Sequence, residues 1–309
     1  YDELATLVGT LPEEGKPGNW EVYADCYAEY VRQEYTFYKD IEYRGAKYRA
    51  MYSTNPRTFY TGSKTNYYEE PYTVNDNGYR ALELFFFKFE PITWEIFDNK
   101  DGVKLLAPTK MLDVNYFTVK EDHYTLDGKE IYLTNYEHSF IRSWINNEFY
   151  DLAFNSNEKE KIQVTHVDNS LETVLESHTE SNLDSLDYMQ YDYHDYISND
   201  LDDKVFLFTR KDLIDYDFGY GDFENWQHID YNKSVKLATE YALARGALRN
   251  YSFRDTVYYG SVKFYLRTPL LSSYRGDLIF ISDESSGLAY SYTTPGQTLG
   301  VYPAINVKF

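Results

Sequence analysis

Thr93-Trp94-Glu95-Ile96-Phe97-Asp98-Asn99-Lys100-Asp101-Gly102-Val103-Lys104-Leu105-Leu106-Ala107 decides how the rest of this chain is read. Two short runs rich in β-branched and aromatic residues, 93–97 and 103–107, flank a polar connection ending in Asp-Gly. Strand-forming runs on both sides of such a turn read as an antiparallel hairpin. The connection has the acidic composition of a calcium loop. It lacks the alternating oxygen ligands and the closing Glu of an EF-hand, and a turn needs Asp, Asn and Gly on its own account.

The same pattern continues upstream. Runs 35–43 and 46–52 flank Arg44-Gly45, a second hairpin turn, and 81–89 is a further strand after a polar loop carrying Pro56, Gly62, Pro71 and Asn75-Asp76-Asn77-Gly78. Residues 1–34 read as an N-terminal extension. Leu4, Leu7, Val8 and Leu11 have helical spacing before Pro12, Gly15, Pro17 and Gly18 break the chain. Beyond that, Trp20, Tyr23, Tyr27 and Val31 fit a helix, whereas Trp20, Val22, Ala24 and Cys26 fit a strand. The helix is the preferred expectation.

Downstream, Phe140, Ile141, Trp144, Ile145 and Phe149 recur at three- and four-residue spacing behind Ser139, an N-cap residue. A short helix is expected near 158–162 and a strand over 204–208. Thr209-Arg210-Lys211-Asp212 reads as a capping box, and a helix over 234–245 should stop at Gly246. Strands are expected at 263–267, 277–282, 287–292 and 300–307. The acidic stretch at about 168–203 has no sustained period and reads as a surface insertion. Strands and short helices alternate without βαβ order, so residues 35–309 are expected to form one α+β domain. Its core would be a mainly antiparallel twisted sheet with a few short helices. Trp94 and Trp144 have apolar neighbours and are expected in that core.

Composition limits the function. The chain of 309 residues carries 50 acidic against 30 basic residues, a net charge of −20. Nucleic acid is bound by releasing counterions from Lys and Arg, so an acidic chain without a basic stripe is a poor candidate. The same repulsion applies to an anionic membrane, and no run approaches the ~18 apolar residues of a spanning helix. Cys26 is the lone cysteine, which leaves no intrachain disulfide and no Cys-rich zinc site. The chain opens at Tyr1 in place of Met, as removal of a signal peptide or trimming would leave it.

Local motifs assign no catalytic residue, metal or cofactor. No His pair has the spacing of a helical zinc site, and G-x-S-x-G, P-loop and dinucleotide fingerprints are missing. Asp215, Asp217, Asp222 and Glu224 around Gly219 and Gly221 form a calcium candidate, with solvated loop acids the simpler reading. The 35 tyrosines suit half-buried strands, and in exposed loops they also suit sugar stacking.

Several strings then fall into one order: Pro91-Ile92-Thr93-Trp94, Ser139-Phe140-Ile141-Arg142-Ser143-Trp144-Ile145-Asn146-Asn147-Glu148-Phe149-Tyr150, Asp203-Lys204-Val205-Phe206-Leu207-Phe208, Phe264-Tyr265-Leu266-Arg267-Thr268-Pro269, and Gly300-Val301-Tyr302-Pro303-Ala304. Over about residues 35–309 this order resembles an uncharacterised bacterial family, number sixty-two seventy-three among the domains of unknown function. Tyr265, Thr268 and Tyr302 stand where the family pattern has Trp, Ser and Arg. More distantly, the late strands resemble the sulfatase-modifying and C-type-lectin-like group, which implies a lectin-like core. The enzymes of that group use cysteines, and Cys26 lies outside the matching region.

That resemblance and the composition lead to an expected non-catalytic recognition module, secreted or at the bacterial cell surface, with the cytoplasm as the alternative location. It would bind a glycan or a protein, with no nucleic acid partner and no direct membrane insertion. The expected ligand-binding residues are Trp226, Arg267, Tyr274, Arg275, Tyr290 and Tyr292. The alternatives are a carboxylate-dependent hydrolase acting on carbohydrate and a structural envelope protein.

Overall fold

A computed structural model of the chain describes residues 1–13, 15–23, 26–27, 31–32, 36–54, 79–119, 123–178, 197–219, 230–247, 261–271, 279–282, 291–293 and 298–309. The deciding hairpin forms as its sequence predicts. Trp94–Lys100 and Val103–Pro108 pair antiparallel around Asp101-Gly102, which have φ of 53° and 80°. Positive φ at both turn residues gives the type I′ twist that matches the twist of the strands. Arg44-Gly45, at 51° and 77°, does the same between Thr36–Tyr43 and Ala46–Ser53. Asp127-Gly128 closes a third, unanticipated hairpin between Tyr124–Leu126 and Lys129–Ile131.

Three sheets carry the described fold. The N-terminal sheet has the order Glu21–Tyr23, Thr36–Tyr43, Ala46–Ser53, Leu84–Lys88, all antiparallel. A central sheet runs Ile162–Gln163, Pro303–Lys308, Val103–Pro108, Trp94–Lys100, with Phe206–Leu207 also on Pro303–Lys308. A C-terminal sheet runs Ser291–Thr293, Ile279–Ser282, Phe264–Pro269, Thr298–Val301, Asp113–Tyr116, and only its Phe264–Pro269/Thr298–Val301 pair is parallel. The class is α+β and rich in antiparallel sheet, as expected.

Two sequence expectations change. The helix preferred near Trp20 is a strand: Trp20 and Val22 pack into one cluster with Val8, Phe37 and Ile41, and Tyr23 packs on the other side with Met51 and Ala244. Alternation of faces is the strand period, and pairing with Thr36–Tyr43 selects it over the helical reading. The single helix expected over 234–245 is divided into Tyr231–Ser234 and Glu240–Arg245. Between them Leu237 bridges Ser261 and Ala238 bridges Met111, and Thr239 caps the second helix through Ala242 N–H. The stop at Gly246 is in place, left-handed at φ 106°.

The Ser139 helix packs against the core the sheets enclose. Ser139 Oγ accepts from Arg142 N–H, and the helix runs through Phe140–Trp144, a π turn at Ile145–Phe149, and Tyr150–Ala153. The Asn-Asn pair of the π turn reaches back to carbonyls of the preceding turn: Asn146 Nδ2 donates to the Arg142 carbonyl at 3.2 Å and Asn147 Nδ2 to that of Ser143 at 2.6 Å. Asn146 also reaches Val205, donating to its carbonyl at 2.8 Å and accepting its N–H at 3.1 Å. Ile141, Ile145 and Phe149 face the core with Leu106, Phe208, Phe264 and Ile305. The Thr209–Asp212 capping box is reciprocal, at 2.9 and 2.6 Å, and opens Asp212–Asp215. The stem of the acidic insertion is ordered by Thr165–Val167 pairing with Leu201–Asp203 and by the helix Leu171–Glu176; residues 179–196 lie outside the described residues. No helix among the described residues is long and apolar enough to cross a membrane.

Candidate functional site

A cleft of about 1840 Å³ opens between the N-terminal sheet and the Ser139 helix. One wall is the sheet face that alternation turns away from Val8 and Trp20, and it brings Tyr38, Arg49 and Phe87 to the cleft. The opposite wall is built by Trp94, Phe140, Trp144, Phe149 and Phe154. Trp94 stacks on Phe154, with ring centroids 5.7 Å apart and planes at 24°, and Trp144 lies 5.6 Å from Phe149. Tyr38, Phe87, Trp94, Phe140 and Trp144 are each half-buried, and the Tyr38 ring is taken up by Tyr23, stacked at 4.4 Å, and by the Arg49 guanidinium, 4.3 Å from its centroid. This corrects the reading of Trp94 and Trp144 as core residues. Both are half-buried and pack against the core cluster without lying inside it.

A charged and phenolic cluster ties the N-terminal sheet to the helix Glu240–Arg245. Arg49 holds both Asp40 carboxylate oxygens, at 2.7 and 2.9 Å, and its third nitrogen donates to the Tyr241 hydroxyl at 3.1 Å. The Tyr23 and Tyr241 hydroxyls share a short hydrogen bond. Arg245 lies 3.5 Å from the Tyr23 ring centroid and donates to Asp113 at 3.1 Å and the Val114 carbonyl at 3.3 Å. Burial raises the pKa of Tyr23 well above the usual phenol range, and the neighbouring Tyr241 adds to it against the opposing charges of Arg49 and Arg245. Tyr241 is raised by burial first, then by Asp113. Both phenols therefore stay protonated at neutral pH and serve as hydrogen-bonding links, not bases. Tyr79 adds a further tie, donating to Glu240 at 2.6 Å.

Other carboxylates on the lining have structural duties. Asp151 pairs with Lys159 at 2.6 Å, and Glu158 accepts the Asn155 N–H in a capping box. Glu90 and Glu148 stand exposed. Among the described residues, no group of three or more His, Cys, Asp and Glu gathers to hold a metal ion. Of the calcium candidates, Asp215 pairs with Lys211 and Asp217 with Lys233, while Asp222 and Glu224 lie outside the described residues.

Of the ligand-binding residues expected from sequence, Arg267 does not line this cleft. Arg267 is 7% exposed and donates to the Leu207 and Asp168 carbonyls, to Asn169 and to Asp212, the last at 3.1 Å. It holds the strand Phe264–Pro269 to the start of the acidic insertion. Tyr292 sits in Ser291–Thr293 opposite Phe280. Trp226, Tyr274, Arg275 and Tyr290 lie outside the described residues. Tyr302, at the position of the pattern's Arg, is fully buried against Phe208, Phe218 and Phe264. The cleft residues carried one local signal that was available, the i, i+4 pair Trp144 and Glu148 on a helix. Their partners across the cleft, Phe87, Arg49 and Tyr38, lie about 60 to 110 positions upstream.

Fold and cleft together define a sheet-rich α+β protein with an aromatic-walled groove. The family described as Domain of unknown function (DUF6273) matches residues 101–309, more than half of the chain, and the chain belongs to that family. The match begins later than the 35–309 stretch expected from motifs, so the Pro91–Trp94 string and the whole N-terminal sheet lie outside it. No curated protein and no solved structure matches the chain.

Proposed function

We propose that the chain is a non-catalytic recognition module of an exported or cell-surface bacterial protein, and that it binds a glycan along the cleft. The observation that carries this reading is the half-buried aromatic lining of the cleft, Phe87 from the N-terminal sheet and Trp94, Phe140 and Trp144 from the other wall. A ring with one free side offers a flat apolar platform to the C–H face of a sugar, and exposed charged groups at the rim can orient its hydroxyls. At about 1840 Å³ the cleft exceeds the usual ~300–1,000 Å³ of a small-molecule pocket, which favours several linked sugars over one. The C-type-lectin-like kinship of the core belongs to the same proposal, supported by the adjacent late strands Phe264–Pro269 and Thr298–Val301.

A glycan array followed by calorimetry tests it. The chain should bind oligosaccharides with affinity that rises with length, and Trp144→Ala should weaken binding by about tenfold, the loss of one aromatic contact of about 1.4 kcal/mol. An array on which nothing binds, or a folded Trp144→Ala variant that binds like the parent, overturns the reading. Release of reducing ends from a bound oligosaccharide would overturn its non-catalytic half.

A further inference from the structure

We propose that His178 is an acid-sensitive latch, holding the acidic insertion to the chain that follows the strand Phe264–Pro269 and letting it go in mild acid. Over residues 168–203 the sequence carries eleven acidic residues and no Lys or Arg, so its charges repel one another and its cationic ties come from outside. Arg142 holds Asp203 at 2.7 Å, and Arg267 donates to Asn169 at 3.2 Å and to the Asp168 carbonyl at 3.3 Å. Arg210 donates to the Ser177 carbonyl at 2.7 Å. Arginine stays charged throughout the acidic range. His178 differs in kind, because a ring nitrogen changes from acceptor to donor when it takes a proton.

The ring joins two elements. Nδ1 lies 2.7 Å from the carbonyl of Val174 on the helix Leu171–Glu176, and Nε2 lies 3.1 Å from the Leu271 N–H. An amide N–H only donates, so the neutral ring accepts from Leu271 and donates to Val174. Protonation sets two N–H groups against each other at Leu271, which is itself buried. What still holds the contact is a small apolar cluster of Tyr132, Val174 and Leu271, with Leu171, Leu175 and Ile197 partly buried around it. This cluster is separate from the main core, so it opens as a local unit. The charges nearby do not favour a cationic ring. Arg210 is fully buried and reaches the carbonyl next to His178. The Lys211 N–H meets Ser177 Oγ at 3.4 Å, its ammonium pairs with Glu176 and Asp215, and Tyr132 donates to Glu130. Burial lowers the imidazole pKa to about 4, opposed by the Val174 hydrogen bond and reinforced to a lesser extent by Arg210. An opened, solvated ring regains the ordinary 6.5, so the opened form binds the proton and falling pH favours it.

Hydrogen exchange followed by NMR on the full chain tests this, with protection factors corrected for the intrinsic pH dependence of exchange. From about pH 7 to about pH 4.5 the protection of the Leu271 N–H should fall about fiftyfold. Low urea should leave it unchanged, because a local opening exposes little surface, whereas amides of the strand Pro303–Lys308 should exchange steeply faster with urea. His178→Gln keeps an acceptor and a donor that do not titrate in this range, and should hold Leu271 protection within about threefold across the two pH values. Unchanged Leu271 protection in the parent overturns the latch, as does a His178→Gln variant that shows the parent's full loss. A urea dependence at Leu271 as steep as that of Pro303–Lys308 also overturns it, since the site then opens only with the whole fold. Those two readings on the parent decide the matter even where the variant does not fold.

Discussion

Acidification from about pH 7 to about pH 4.5 should destabilise the fold through one imidazole. His178 is 6% exposed at the end of the helix Leu171–Glu176, where Nδ1 lies 2.7 Å from the Val174 carbonyl and Nε2 lies 3.1 Å from the Leu271 N–H. A backbone N–H only donates, so Nε2 must accept and Nδ1 must carry the proton. Protonating Nε2 would turn that hydrogen bond into two opposed N–H groups. Burial lowers the His178 pKa from 6.5 to about 4, opposed by the hydrogen bond to the Val174 carbonyl and reinforced, to a lesser extent, by the charge of Arg210. The folded value lies below the unfolded one, so between them the unfolded chain binds more protons. The stability from this group is therefore complete above about pH 6.5 and is lost as pH falls toward about 4. The loss amounts to about 2.5 kcal/mol at about pH 4.5 and a few tenths at about pH 7, a difference of about 2 kcal/mol. Urea denaturation at the two pH values, on the parent and on His178→Gln, isolates it because other groups titrate alike in both. The parent should lose about 2 kcal/mol more than the variant over this interval. Equal losses would refute the argument, as would an NMR titration placing the His178 midpoint near 6.5.

Three further substitutions, at two positions, test the packing around the strand Phe264–Pro269. Gly300 pairs with Phe264 and Val114, and an added Cβ would lie 2.8 Å from both the Lys263 carbonyl oxygen and Met111 Sδ. Gly300→Ala should therefore lower stability by about 1–3 kcal/mol in urea denaturation, because backbone on one side leaves little room to relax. Arg267→Met keeps most of the side-chain volume but strands Asp212 and two carbonyls, and should cost about 3 kcal/mol by thermal melting. Arg267→Lys should recover less than half of that loss, since one ammonium cannot reproduce the planar fork.

Turns and caps were legible in the chain because their causes are local. Arg44-Gly45 and Asp101-Gly102 reverse direction with two residues whose own chemistry tolerates positive φ. Ser139, the Thr209–Asp212 box and Gly246 start or stop helices by satisfying backbone groups within a few positions. The α+β class and the family motifs follow from those same runs. The stretch from Trp20 to Tyr23 was not legible, since its residues fit two periods and only pairing with Thr36–Tyr43 makes Glu21–Tyr23 a strand. Nor was the break in the 234–245 helix, which depends on bridges from Leu237 and Ala238 to Ser261 and Met111. The cleft lay furthest from sequence reasoning. Hydropathy assigns Trp94 and Trp144 to the interior, yet whether a large ring has one free side depends on what packs opposite it. Here the opposite wall is Tyr38, Arg49 and Phe87 on a sheet outside the family match, joined to it through Tyr23, Tyr241 and Arg245. Local chemistry thus determined where the chain turns and which strands it makes. Only tertiary packing decided which aromatic faces stay open, because that depends on contacts between residues far apart in sequence.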